Sequence, residues 1–323
     1  MQTMTDVTIK NFNLNVFKHL LDQSLAVDTQ LMLEFSDTEI KACSFSGSKS
    51  FIKLWVIPTS KLLIVNEAVL TPDLFDPIVT EQPLKFKAFN FLVLKGDSLR
   101  KYFDVYNNDA VDLSFNVAEF GDKTIATNMT INGKTVSGSQ LKTSFELTTE
   151  EFLTNKITDY APIIRELKPD DDMQELVFNA KQIQEVRGLI KTLHKSLTGN
   201  SAFLSFEIQS DKINIKDKVF SVDFEITKEQ IEKNLNVISQ AQNFKILKMD
   251  FAMIGLHNFI VSTSENSAKV IFNANYAGAL ISCMATKITI DPTMDAENPE
   301  FANNIESLSE YGLSIDELGD LPF

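Results

Sequence analysis

The sequence predicts an α+β protein of two similar domains, each made of two units in which an amphipathic helix is followed by antiparallel strands. Three observations carry this. A helix-then-strand pattern recurs four times, starting at Val16, Phe91, Phe178 and Phe244, which lie 75, 87 and 66 residues apart. The strand after each predicted helix alternates apolar and polar residues, and repetition on this scale dictates architecture. The chain of 323 residues, 44% of them hydrophobic, is long enough to fill two cores.

The elements follow in order. The first unit has a helix over Val16–Ala26 and strands over Gln30–Phe35, Glu39–Ser44 and Phe51–Ile57. In the second, Leu94–Phe103 supplies the helix and Val111–Phe115 the strand. The third opens with Ile183–Ile190 and continues into Phe203–Ile208. The fourth opens with Met249–Leu256, and Ala268–Phe272 is its strand. Most of the 25 Phe residues fall on apolar positions of these strands, as in Leu31–Phe35 and Phe220–Phe224, and read as core.

No run of about 18 apolar residues occurs, so no membrane span is expected. Met1–Asp6 lacks the basic start and apolar stretch of a secretion signal, which points to the cytoplasm. Cys43 and Cys283 stand far apart without a Cys-x-x-Cys pattern and are expected as reduced, buried thiols.

The net charge of −14 is unevenly distributed. After Lys287 there is no Lys or Arg, whereas nine acidic residues follow Ile290. Of 30 basic and 44 acidic residues, the first 290 positions therefore hold 30 and 35, a balance of −5. The third helix runs basic: Lys181, Arg187, Lys191 and Lys195 outnumber Glu185, with His194 among them. The second sets Lys95, Arg100 and Lys101 against Asp97 and Asp104; the first and fourth add only Lys18 with His19, and Lys245 with Lys248. Helices on one side of a curved sheet present such side chains together to a polyanion. Lys and Arg contacts to phosphate position a duplex without reading its sequence.

At this point the chain resembles the DNA sliding clamps, the two-domain, three-subunit processivity rings of phages, archaea and eukaryotes. The resemblance spans about residues 10 to 287. It rests on the four units and on the order Phe178–Val186, Ala202–Ile208, Asp211–Ile215, Phe244–Met249 and Ala268–Ala274. It implies a clamp domain over 1–147, a connector over 148–176, a second clamp domain over 177–290, and a homotrimeric ring around double-stranded DNA. It also implies a DNA polymerase as client, a clamp-loader ATPase as partner, no cofactor, no metal and no catalytic residue. If phage-encoded, the protein works in the cytoplasm of a bacterial host. The implied DNA contacts are Lys95, Arg100, Lys101, Lys181, Arg187, Lys191 and Lys195. Clients of clamps insert apolar peptides beside the connector, and the candidate walls here are Tyr160, Ile163, Ile164 and Leu167, with Phe251 and Met253 from the second domain. Asp170-Asp171-Asp172 in the connector reads as solvated rather than as a Mg²⁺ site.

Residues 291–323 depart from the family. They are acidic throughout, cannot build a core, and read as a disordered tail. Their end resembles the acidic tip of bacterial single-stranded-DNA-binding proteins, with Leu321, Pro322 and Phe323 as anchor and Asp316, Glu317 and Asp320 steering. Such a tail recruits partners in trans, occupies the clamp's own pocket through Ile315, Leu318, Leu321 and Phe323, or serves only solubility. The tip also raises the alternative of a single-stranded-DNA-binding protein that recruits replication proteins. Against it stand the missing Gly-, Gln- or Pro-rich linker and the core character of the Phe residues. An enzyme is least expected: no phosphate loop, metalloprotease motif or nucleophile elbow occurs, and nothing in the sequence gathers His19, His194 and His257.

Overall fold

The computed structural model describes residues 4–47, 50–64, 85–93, 96–120, 123–147, 160–193, 203–226 and 239–288. Within them the four units share one plan of strand, helix and three-strand meander. The first comprises β1 (Met4–Asn13), α1 (Leu14–Leu25), β2 (Leu31–Phe35), β3 (Glu39–Phe45) and β4 (Phe51–Pro58). The second comprises β5 (Phe89–Val93), α2 (Gly96–Asp104), β6 (Tyr106–Phe120), β7 (Lys123–Thr135) and β8 (Gln140–Glu146). After a short helix α3 (Tyr160–Glu166) come β9 (Gln174–Phe178), α4 (Ala180–Leu193), β10 (Phe203–Ile208), β11 (Lys212–Lys216) and β12 (Ser221–Glu225). The last unit is β13 (Gln242–Leu247), α5 (Lys248–Met253), β14 (Phe259–Thr263), β15 (Lys269–Tyr276) and β16 (Ala279–Thr286).

The units interlock by exchange. In the N-terminal half, β1 pairs antiparallel with β6 and β5 with β2, so the strand before each helix joins the strand after the other helix. The C-terminal half repeats this as β9 with β14 and β13 with β10. Each half therefore has pseudo-twofold symmetry, and neither of its units buries its apolar face alone. The halves join edge to edge through β4 and β16, with Trp55 opposite Ile281 and Lys53 opposite Cys283.

Alternation along the strands sorts side chains to two faces. Phe51, Trp55, Ile57, Ile281, Cys283 and Ala285 point to the face that carries α1, α2, α4 and α5. Ile52, Leu54 and Met284 point to the opposite face, where α3 lies. The N-terminal core is largely aromatic: the ring of Phe35 meets those of Phe17, Phe89, Phe91 and Phe115 at 5.2 to 5.9 Å, mostly edge to face. Trp55 is fully buried and donates its Nε1–H to Ser24 Oγ at 2.9 Å. Cys43 and Cys283 are free buried thiols on opposite faces of the sheet, so they do not pair.

Two expectations need correction. Ala268–Phe272 is not the first strand of the fourth unit; β14 precedes it, and that stretch belongs to β15. The fourth helix stops at Met253 because Gly255 adopts φ +99°, a left-handed conformation that ends a helix and favours glycine.

Candidate nucleic-acid interface

The helix-bearing face is built from the four unit helices. Helix α4 starts on a reciprocal cap: Gln182 N–H donates to Asn179 Oδ1 and Asn179 N–H donates to Gln182 Oε1, both at 3.0 Å. Ile183 and Val186 bury its inner stripe, which leaves Lys181, Gln184, Glu185, Gly188 and Lys191 exposed. Arg187 is half-buried, and burial pulls its pKa below the ordinary guanidinium value. Lys181, Arg187 and Lys191 form no ion pair among the described residues.

The N-terminal helices differ. Arg100 on α2 donates to Asp22 of α1 through Nε at 2.8 Å and Nη2 at 3.3 Å, and through Nη1 to Asp104 four residues on. Lys18 of α1 reaches the same Asp104 at 3.4 Å. Burial opposes the Arg100 charge, but the bonds it donates to Asp22 and Asp104, with the attraction of the two carboxylates, outweigh it and raise its pKa. The cations on this pair thus hold α1 to α2, and Arg100, predicted as a DNA contact, is already engaged by two carboxylates. Lys101 is exposed, and Lys248 of the fourth helix pairs with Asp217 in the turn between β11 and β12. Lys95 and Lys195 lie outside the described residues.

A polar junction that the sequence reading did not anticipate joins the halves beneath these helices. Lys53 is completely buried, and its Nζ donates to Gln23 Oε1 of α1 at 3.0 Å and to the carbonyls of Met253 and Ile254 at the end of α5 at 2.8 and 3.1 Å. Burial pushes its pKa down to about 8. At the other end of α5, Asp250 is buried and accepts from Ser50 Oγ at 3.0 Å, and burial lifts its carboxyl to about 7. The fourth helix is therefore pinned at both ends by residues of the N-terminal half. Beside it the rings of His19 and His257 lie 5.6 Å apart, with Tyr276 against both. The expectation that nothing gathers the histidines is thus corrected for this pair, because the β4–β16 seam brings the two halves together; His194 lies outside the described residues.

On the opposite face, Tyr160, Ile163 and Leu167 are buried against Met32, Cys43, Phe45, Ile52, Leu54 and Met284, with Ile164 half-buried at the margin. Tyr160 donates its hydroxyl to the Met32 carbonyl at 3.2 Å. Lys269 caps α3 through the carbonyls of Glu166 and Lys168 and pairs with Asp170 at 3.1 Å; Ser267 also donates to Asp170. One carboxylate of the acidic triplet is therefore held by protein donors. Phe251 is buried elsewhere, between the rings of Phe178 and Phe206 in the helix-side core, and Met253 packs on that core too. The structure does not bring these two to the α3 residues. Asp316, Glu317, Asp320, Leu321, Pro322 and Phe323 lie outside the described residues.

This arrangement of interlocked units with four helices on one face has counterparts among solved structures. It matches proliferating cellular nuclear antigen from Entamoeba histolytica at a TM-score of 0.58 and 12% identity, over 90% of this chain and 100% of that one. It matches A. fulgidus PCNA, solved with the C-terminal region of FEN-1 bound, at 0.54 and 12%, over the same shares. The chain has the sliding-clamp fold. No family model matches the sequence, and no curated protein matches it. Among the described residues of this clamp fold, no helix is long and apolar enough to cross a membrane.

Proposed function

We propose that the chain is one subunit of a homotrimeric sliding clamp that encircles duplex DNA without reading its sequence and tethers a replicative polymerase. It performs no chemistry of its own. Holding the polymerase beside its template turns each rebinding into an intramolecular step, so processivity rises through effective concentration. Residues 1–147 and 177–290 are the two clamp domains, 148–176 the connector and 291–323 an acidic accessory tail. A clamp-loader ATPase opens the ring, and the protein acts in the cytoplasm, of a bacterial host if phage-encoded.

The observation that carries this reading is the state of the last strand in each unit. Those of the first and fourth units, β4 and β16, pair with each other inside the chain. Those of the second and third, β8 and β12, have one neighbour each among the described residues, β7 and β11, and show the strict exposed and half-buried alternation of strands awaiting a partner. An unprotected edge is a liability in a monomer. The pseudo-twofold axes map the β4–β16 seam onto a β8–β12 seam between one chain and the next. Such a contact is head-to-tail and closes into a ring when the rotation permits.

The register carries over as well. Leu33 and Leu113 face the residues five positions before α2 and α1, so they are equivalent, and pairing then runs Leu33, Ala42, Trp55 in the first unit and Leu113, Ile131, Thr143 in the second. Val261, Phe272, Cys283 likewise corresponds to Phe206, Ile215, Val222. Lys53 opposite Cys283 thus becomes Leu141 opposite Val222 of the next chain, an apolar pair.

Native mass tests the proposal, on the full chain and on a chain truncated after Lys287. A stable species of three times the 36.3 kDa chain, retained on truncation, is expected. A monomer at high concentration and low salt, with tight single-strand binding, sinks the ring and promotes the single-strand binder.

A further inference from the structure

The charges on the helix-bearing face are divided unequally between the halves. On α1 and α2, Lys18, Arg100 and Lys101 are balanced by Asp22, Asp97 and Asp104, a sum of zero, and four of these six belong to one network that ties the two helices together. On α5, Lys248 is taken by Asp217 and Asp250 is buried. On α4, Lys181, Arg187 and Lys191 face only Glu185, a sum of +2, and none of the three has a carboxylate within ion-pair distance among the described residues. Cations locked to carboxylates already have their counterions, so bringing them to a phosphate releases none; unpaired cations release salt ions and gain affinity.

We infer that the DNA backbone is tracked by one helix per chain, α4, with Lys181, Arg187 and Lys191 as its phosphate contacts, while the α1–α2 pair is an electrically neutral wall. The inference rests on the clamp reading for the position of DNA, and it goes further by giving the ring three separate basic sectors alternating with three neutral ones. The duplex is then held by few phosphates at a time, and sliding moves it between equivalent sectors. Arg187 is suited to the central role because its half-buried stem fixes the guanidinium while no acidic partner competes for it.

The test is fluorescence anisotropy of a labelled 30-base-pair duplex with the full-length protein, at salt concentrations from about 25 to 150 mM. Each lost phosphate contact lowers the slope of log affinity against log salt by about 0.9. The Lys181→Ala, Arg187→Ala, Lys191→Ala triple variant is expected to lose about 2.7 from the slope and at least tenfold in affinity at about 50 mM salt. Lys181→Glu with Lys191→Glu, at two exposed positions that leave the core untouched, is expected to weaken binding at least as much. Arg100→Gln, which removes a cation already held by Asp22 and Asp104, is expected to change affinity less than twofold and the slope not at all. An equal loss in this N-terminal variant, or an unchanged slope in the triple variant, overturns the assignment. Native mass separates the two levels. A non-ring protein whose α4 variants still lose the slope keeps the assignment and rejects the clamp. A ring whose α4 and α2 variants bind alike keeps the clamp and rejects the assignment.

Discussion

Replacing Lys53 by Met tests how the two halves are held together. The side chain is completely buried and makes three hydrogen bonds, to Gln23, Met253 and Ile254. Its pKa falls from 10.5 to about 8, chiefly through burial. At about 1.36 kcal/mol per pH unit, keeping it charged at neutral pH costs about 3 kcal/mol. Three bonds from a charged donor contribute about 2 kcal/mol each, or about 6 in all. Lys53→Met removes both terms, so a net destabilisation of about 3 kcal/mol is expected at pH 7. The folded chain releases the proton near pH 8 and the unfolded chain near 10.5, so between these values the unfolded state holds more protons and stability climbs with pH. The wild type therefore gains about 2 kcal/mol relative to the variant between pH 8 and 9.5. Lys287, whose pKa burial also lowers to about 8, titrates in both proteins and cancels from the comparison. Urea unfolding of both proteins at one chain concentration measures the gap. A variant as stable as the wild type at pH 7, or a gap that stays constant from pH 8 to 9.5, refutes the reasoning.

Asp250 gives the opposite slope. Its folded pKa, raised by burial from 3.8 to about 7, lies above the unfolded one, so the folded state holds the extra proton and stability falls as pH rises across that window. Asp250→Asn is expected to abolish the fall, which urea midpoints between pH 4 and 7 check. Gly255→Ala combines the strain of φ +99° with a Cβ placed 2.6 Å from Gln23 Oε1, an acceptor of Lys53. A loss of at least about 2 kcal/mol is expected, since a strained backbone alone costs about 1–3; thermal unfolding below the wild-type midpoint checks it. Arg100→Gln breaks the α1–α2 link through largely exposed partners and is expected to cost only about 1 kcal/mol in the same unfolding assay.

The parts of the fold legible in the sequence are those where one face of a strand is buried and the other is not. The predicted strands Leu31–Phe35, Phe51–Ile57 and Phe203–Ile208 fall within a residue of β2, β4 and β10, because apolar and polar residues alternate or run together there. The pairing of the strands before the helices, β1, β5, β9 and β13, is not legible, because their partners lie in the other unit of the same half and no local pattern announces a long-range exchange. Helix α5 spans six residues, too few for a helical period to define its end. Among the DNA candidates, the basic character of α4 could be read from the residues, but the neutralisation of Arg100 could not: Asp22 is 78 positions away and meets it only once α1 packs on α2. Lys53 left one signal, a lone charge in the apolar run Phe51–Ile57 at a core-facing position. Its acceptors, the last carbonyls of a helix 200 residues on, belong to the fold and not to the motif.

The central claim is ring closure through β8 and β12, and one measurement addresses it directly. Leu141→Cys and Val222→Cys are introduced together in the full-length chain, where the native thiols of Cys43 and Cys283 are both buried. The protein is oxidised and resolved by mass under denaturing, non-reducing conditions. The account predicts a covalently closed trimer that reverts to monomer on reduction, with neither single variant cross-linking. A double variant that keeps a native trimeric mass yet fails to cross-link, or one that cross-links only into open ladders, contradicts it.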